Sequence, residues 1–265
     1  MLLKLLANLF PRRAPPAPAD QPADAVHAEQ RRAHQRMARL ELPGPDYLQS
    51  LAAIHALVKP RTYLEIGVAK GHTLALAGPL TRAIGVDPEP MLAQPPAANA
   101  RVYALTSDEF FAHTDVTREF GGLPVDLAFI DGMHLFDFAL RDFIAVERLC
   151  ARESAVLVHD TYPLDSITAG RERTTHFWSG DIWRLVLALK KYRPDLSIQT
   201  IAAAPTGLTL IRGLDPASNV LSAQRDAIIE EFRALEFDAI ENDKPAVLNV
   251  VANDPANISR LFGPL

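Results

Sequence analysis

The chain has a single cysteine, Cys150, among 265 residues. That excludes an internal disulfide and fits a reducing cytoplasm, with Cys150 read as a small buried hydrophobe on an apolar helix face. Positive charge is not in excess: 27 Lys and Arg stand against 32 Asp and Glu, for a net charge of −5. The basic footprint of a nucleic-acid binder is therefore missing. No apolar run is long enough to cross a bilayer, and the apolar Met1–Phe10 is too short to do so. Its arginines, Arg12 and Arg13, follow the apolar run, the reverse of a signal peptide. A short amphipathic anchor or docking turn is left open for that segment. Internal repeats are absent. What remains is a chain with 48% apolar residues, enough for one α/β domain with additions.

Residues 1–25 are rich in Pro and Ala after the apolar start and read as a flexible segment. Residues 26–60 are expected to form a helical cap of two helices, 26–41 and 46–58. In the second, Tyr47, Leu48, Leu51, Ile54 and Leu57 recur at helical spacing. From 61 to 213 strands and helices alternate. Strands are expected at 62–67, 82–87, 101–105, 125–130, 154–158, 197–203 and 207–212, and helices at 71–80, 107–113, 135–149 and 181–192. Runs such as Leu127–Ile130 and Ala155–Val158 are continuously apolar, as strands buried on both faces should be. This pattern predicts an α/β, doubly wound, mostly parallel sheet of seven strands. Ala204-Pro-Thr-Gly207 is too short for a crossover, so the last two strands should form an antiparallel hairpin. Residues 214–265 read as a C-terminal helical extension, with a helix at 222–237.

The chemistry begins at Tyr63-Leu-Glu-Ile-Gly-Val-Ala-Lys-Gly71, followed by Ala83-Ile-Gly-Val-Asp87. An apolar strand enters a glycine turn, and a second strand ends on an acid able to accept bonds from a ribose. This is a nucleotide-binding βαβ pattern. Its spacing is Glu-x-Gly-x-x-x-Gly, and the third glycine of the dinucleotide fingerprint is missing, which disfavours a NAD-dependent dehydrogenase. The segment resembles motif I of the class I S-adenosylmethionine (SAM)-dependent methyltransferases. The likeness continues through Asp126-Leu-Ala-Phe-Ile-Asp131-Gly-Met-His134 and Val156-Leu-Val-His159-Asp160-Thr161, and spans roughly residues 45–212. The resemblance is to the subgroup of small-molecule and sugar O-methyltransferases, some of them magnesium-dependent. It implies a Rossmann-like sheet closed by a hairpin, SAM as cofactor, and a hydroxylated small-molecule acceptor (a sugar, polyketide or phenol).

Ligands of open α/β sheets sit beyond the carboxyl ends of the strands. The cofactor candidates there are Glu65, Gly67, Gly71, Asp87, Ser107, Asp108 and Asp131. Gly67 and Gly71 would let the turn pass under the methionine part of SAM. Glu65 would orient that turn through backbone bonds, Asp87 would hold the ribose, and Ser107-Asp108 would meet the adenine amino group. Asp108 could equally cap the helix that follows it. The chemical candidates are Asp131, His134 and His159, with Asp131, His159 and Asp160 as a set able to bind Mg²⁺ or another divalent cation. Either a metal lowers the acceptor's pKa, or His134 or His159 removes its proton as general base. Residues 162–180 form a long polar loop suited to a lid, in which Arg171 and Arg173 could hold an anion and Trp178 could stack on a ring. Asp181 reads as the cap of the next helix, and Trp183 as core. A non-catalytic SAM-fold module for binding or assembly is the alternative from a different class. A homo-oligomer is left open.

Overall fold

The computed structural model describes residues 22–175 and 177–264. The apolar Met1–Phe10, most of the Pro/Ala-rich segment and His176 lie outside the described residues. The helices are α1 Pro22–Glu41, α2 Tyr47–Val58, α3 Ser107–His113, α4 Val116–Glu119, α5 Phe136–Glu147, α6 Trp183–Tyr192, α7 Val220–Ala223, α8 Arg225–Arg233, α9 Asp238–Glu241, α10 Lys244–Val247 and α11 Pro255–Leu261. The strands are β1 Thr62–Ile66, β2 Arg82–Val86, β3 Ala100–Tyr103, β4 Val125–Ile130, β5 Cys150–His159, β6 Ser197–Ile201, β7 Leu208–Arg212 and β8 Val250–Val251.

One mixed sheet runs β3-β2-β1-β4-β5-β7-β6-β8. The first five strands are parallel, and β7 lies antiparallel between β5 and β6. The expected hairpin is present. The expected seven strands are eight, because Val250–Val251 adds a parallel edge beside β6. Two residues in an irregular tail carry too little periodicity to announce a strand. The helix expected over 71–80 is also replaced, by a 3₁₀ turn at Leu74–Leu76. Gly71 sits at φ +75°, and Gly78-Pro79 ends the segment, since a residue before proline is pushed out of helical geometry. The proposed linker ends sooner than expected, since residues 22–25 are already helical. Cys150 is buried, but at the first residue of β5 rather than on a helix.

Each central strand divides its side chains between two layers, as its continuous apolar run requires. Ala128 and Ile130 join Leu64, Ile66 and Val156 under Phe136, Leu140 and Phe143 of α5, Trp183 of α6 and Phe232 of α8. Leu127 and Phe129 face the other way, with Tyr63 and Leu157, beneath Leu51 and Ile54 of α2 and Ile258 of α11. Each such side chain contributes roughly 1.5–3 kcal/mol by burial. The short β1–β2 crossover leaves its share of the second face to α2. A capping box starts that helix: Asp46 accepts the N–H of Gln49 at 2.8 Å, and Gln49 Oε1 accepts the N–H of Asp46 at 3.1 Å. The helix is pinned from the far end of the chain, where Asn253 Nδ2 donates to the Pro45 carbonyl at 2.8 Å and to Ser50 Oγ at 2.9 Å.

Candidate active site

The carboxyl ends of β3, β2, β1, β4 and β5 form one sheet edge, and a cavity of about 610 Å³ opens along it. That volume suits a small-molecule ligand. Gly67, Asp87, Ser107, Asp108, Asp131 and His134 all line it. Apolar walls come from Ile66, Val86, Met91, Met133 and Phe138. Lateral strand order sets the sequence of groups: Ser107 and Asp108 after β3, Asp87 after β2, the glycine turn after β1, then Asp131 and His134 after β4.

The turn after β1 is held by side chains. Asp87 Oδ2 accepts the N–H groups of Val68 and Ala69 at 3.0 and 2.7 Å, and Oδ1 accepts that of Glu89 at 2.8 Å. Gly67, at φ +89°, donates to the Val86 carbonyl at 2.8 Å. It lies so close to β4 that a Cβ there would overlap the Asp131 carbonyl, which no side chain tolerates. Gly71 turns beside Leu92 and does not line the cavity. Glu65 is fully buried below the cavity. Its contacts are side-chain bonds, contrary to the backbone bonds expected: Tyr63 Oη and Thr73 Oγ1 each donate to it at 2.7 Å. Burial pushes its carboxyl up to about 8, against the pull of those two hydroxyls. It therefore braces the turn from below, since Thr73 lies eight residues further along.

Asp108 does not cap α3. Thr106 does, in a capping box with Glu109, while Asp108 pairs with Arg141 at 2.9 Å. Asp181 likewise is no helix cap. Its buried carboxylate accepts the N–H of Phe136, the first residue of α5, at 2.7 Å and pairs with Arg171 and Arg184. Arg171 also reaches Asp137 at 2.7 Å, so it fastens the 162–180 loop to α5. Arg173 lies over the Trp178 ring at 5.9 Å.

At the β4–β5 end four groups converge. Asp131 Oδ1 is 3.1 Å from His159 Nδ1 and 3.4 Å from His134 Nε2. Asp160 Oδ2 is 2.6 Å from His134 Nδ1, an ion-pair contact without hydrogen-bond geometry, and Asp160 Oδ1 accepts from Thr206. His134 and Asp160 have φ of +57° and +59°. Such left-handed backbone in non-glycine residues costs of order 1–3 kcal/mol and gathers at functional sites. Burial opposes charge on His134, but Asp160 and Asp131 push it up to about 11. His159 is raised for the same reasons, and the two imidazoles hold Asp131 well below the ordinary carboxylate range against its burial. The ligand atoms of Asp131, His134 and Asp160 lie within 4.8 Å of one another, a spacing that fits a metal ion. His159, rather than His134, had been expected in that set; it instead carries the Tyr47 ring at 4.1 Å and leaves its Nε2 without a partner among the described residues.

Two contributors, Tyr47 and Asp142, were not anticipated, and Trp178, expected to stack on a ring, does so on a ring of the protein itself. Tyr47, read only as an apolar helix position, lines the cavity over His159, and burial followed by Asp131 raises its hydroxyl to about 12. Trp178 stacks on His134 at 5.6 Å and 13°, with its Nε1 donating to the Gly170 carbonyl at 2.6 Å. Asp142 is buried and lines the cavity from α5. Its signal was in the sequence: an acid on the apolar face shared by Ala139, Phe143 and Val146.

Residues 64–161 match the model of a family described as a methyltransferase domain. Among solved structures, an O-methyltransferase from Streptomyces achromogenes, involved in tomaymycin synthesis and crystallised with SAM, is 16% identical with a TM-score of 0.50, over 72% of this chain and 96% of that one. An O-methyltransferase from Bacillus cereus in complex with SAH is 14% identical with a TM-score of 0.47, over 75% and 92% of the two chains. At 16% identity the likeness to the Streptomyces protein speaks for the fold alone. No curated protein matches the chain. No described helix is long and apolar enough to cross a membrane. The match to the methyltransferase-domain model covers residues 64–161, less than half of the chain.

Proposed function

We propose that the protein transfers the methyl group of SAM to a hydroxyl of a small molecule, with Asp131, His134 and Asp160 as the centre that handles the acceptor. The observation that supports this reading most is their convergence at the β4–β5 end of a cavity whose other positions suit a nucleoside. The glycine turn would carry the methionine part of SAM, and Asp87, with lone pairs left after three backbone bonds, would take the ribose. Apolar Met133 and Phe138 suit a flat base.

Methyl transfer from sulfonium to oxygen is an in-line displacement, so an acceptor must be aimed at the methyl carbon and must lose its proton. Of the two clustered histidines His134 is the one that lines the cavity, and Trp178 stacks on its ring. In the free protein two carboxylates hold it protonated, so the cluster seeks positive charge strongly. The donor set, two carboxylate oxygens and an imidazole nitrogen, fits Mn²⁺ and tolerates Mg²⁺. A divalent ion bound there would replace the imidazolium proton and polarise the acceptor hydroxyl. His159, bonded to Asp131 at 3.1 Å, orients that carboxylate.

A calorimetric titration with S-adenosylhomocysteine, with EDTA and then with Mg²⁺ or Mn²⁺, tests the reading. Micromolar binding that strengthens with metal supports the cofactor and the ion together. Binding indifferent to metal keeps the cofactor assignment and removes the ion from the reading. Absence of binding overturns the reading in favour of an assembly module.

A further inference from the structure

The tip of the β6–β7 hairpin reaches the reactive cluster through a residue to which the proposed methyl transfer gives no part. Thr206 is 2% exposed and holds the chain after β5 at two points. Its carbonyl accepts the N–H of Tyr162 at 2.7 Å, and its hydroxyl donates to Asp160 Oδ1. Beside it, Gly207 packs so closely that a Cβ there would stand 2.7 Å from the Tyr162 Cβ. The Ala204 carbonyl, bonded to Tyr47 N at 2.8 Å, ties the other side of the tip. So held, the hydroxyl has little room to leave the carboxylate.

The two oxygens of Asp160 thereby acquire different tasks. Oδ1 takes the Thr206 bond and lies 3.5 Å from His159 Nδ1, while Oδ2 stands 2.6 Å from His134 Nδ1. The aspartate is 4% exposed with φ at +59°, so it does not swing freely either. A hydroxyl has one proton to donate, and Thr206 spends it on Oδ1. A carboxylate bound in this way offers an ion one oxygen rather than two. Coordination number then separates the ions that could use the site. Ca²⁺ takes about six to eight oxygens and accepts both oxygens of one carboxylate. Mg²⁺ demands near-octahedral geometry at shorter distances, and Mn²⁺ also accepts the imidazole.

We infer that Thr206 sets the ion preference of this centre: by occupying Oδ1 it makes Asp160 a one-oxygen ligand and favours Mn²⁺ or Mg²⁺ over Ca²⁺. The inference rests on the divalent-ion reading given above and extends it to a side chain that touches no ion. Thr206 is a positioning residue and acts through Asp160. Removing its hydroxyl frees Oδ1 to turn toward the ion beside Oδ2. That supplies Ca²⁺ with an additional oxygen and crowds a small octahedral ion. Loss of such an outer partner typically costs about 10–100-fold in metal affinity, and here the cost falls on Mn²⁺ rather than on Ca²⁺.

The test is a ratio of affinities. Mn²⁺ and Ca²⁺ are titrated calorimetrically into wild type, Thr206→Val and Thr206→Ser, and S-adenosylhomocysteine into wild type. Valine keeps the shape of threonine without the hydroxyl, and serine keeps the hydroxyl. Wild type should prefer Mn²⁺ by at least about tenfold, and Thr206→Val should lower the ratio by about tenfold or more. Thr206→Ser should bring the ratio most of the way back. A general loosening of the fold weakens both ions alike and leaves the ratio in place. Thr206→Ala repeats the measurement if the valine variant does not fold. A ratio unchanged in the valine or alanine variant overturns the inference and leaves the ion reading standing, as does a serine variant that behaves like valine. A wild type that binds S-adenosylhomocysteine but neither ion overturns the inference and the ion together, and keeps the cofactor. A wild type that binds none of the three overturns the proposed function as well.

Discussion

Replacing Gly67 by alanine should damage the protein in two ways at once, and the structure sets the scale of each. The residue sits at φ +89°, where a Cβ costs about 1–2 kcal/mol. The added carbon would also stand 2.5 Å from the Asp131 carbonyl carbon and 2.9 Å from Gly132 N, where ordinary contact begins at 3.4 Å. The backbones must therefore part by more than 0.9 Å, the difference between 3.4 and 2.5 Å for the carbonyl carbon, because the Asp131 carbonyl oxygen lies nearer still. Neither side can yield freely. Asp131 donates its N–H to Ile66 at 2.8 Å, and Gly67 donates to Val86 at 2.8 Å. Overpacking of this kind adds about 1–3 kcal/mol, for a total of roughly 2–5 kcal/mol. In a domain of this size that lowers the unfolding midpoint by roughly 5–15 °C. The displacement falls on Asp131 itself, and a shift near 1 Å in a positioned group costs about a hundredfold in function. Differential scanning calorimetry and a titration with S-adenosylhomocysteine read the two effects separately. A variant that melts within about 2 °C of wild type and binds within about twofold would refute the close-approach account of this glycine.

Glu65 offers a test by pH. Its folded pKa of about 8 exceeds the ordinary 4.5, so the native state holds a proton the unfolded chain releases. The stabilisation is complete below pH 4.5 and drains as pH rises to 8. Glu65→Gln removes that dependence and should gain on wild type by up to about 1.4 kcal/mol per pH unit across the interval, measured by urea unfolding at its two ends. A constant difference between the two proteins would show that the carboxyl is not held protonated. For Arg171→Ala, limited proteolysis should cut the 162–180 loop markedly faster, because Asp137 and Asp181 lose their shared partner. The buried Asp181 keeps Arg184, so the fold should survive with a loss of about 1–3 kcal/mol. Unchanged cleavage would mean the loop is held by other contacts, such as the Trp178–Gly170 bond.

How far the sequence could be read follows physical lines. The central strands were legible because burial on both faces leaves an unbroken apolar run, and their ends then located Asp87, Asp131 and Asp160 without any three-dimensional knowledge. The resemblance to methyltransferases rested on those same strand ends, and the matched domain covers them. Side-chain direction was not legible. Whether His134 or His159 joins the two acids depends on a left-handed turn at residue 134, and histidine does not signal such a turn. Asp108 and Asp181 were plausible caps by position, yet arginines distant in sequence or on another turn claimed them. The missing crossover helix after β1 depended on where α2 packs, a matter of tertiary contact. Tyr47 looked like core because a ring above an imidazole and a ring above an aliphatic side chain have the same periodicity.

The clasp between Asn253 and the start of α2 carries a consequence for the order of events during synthesis. Tyr47 roofs the reactive cluster from the first turn of α2, and that turn is tied to Asn253 through Pro45 and Ser50. A further tie joins Tyr47 N to the Ala204 carbonyl at 2.8 Å. Both partners emerge from the ribosome some 150 to 200 residues after the helix they secure. A nascent chain ending near residue 161 already contains the five parallel strands β1–β5 and all four members of the cluster, but neither tie. The acids and histidines thus emerge before either tie, and the roof is fastened in two steps, first at Ala204 and then at Asn253.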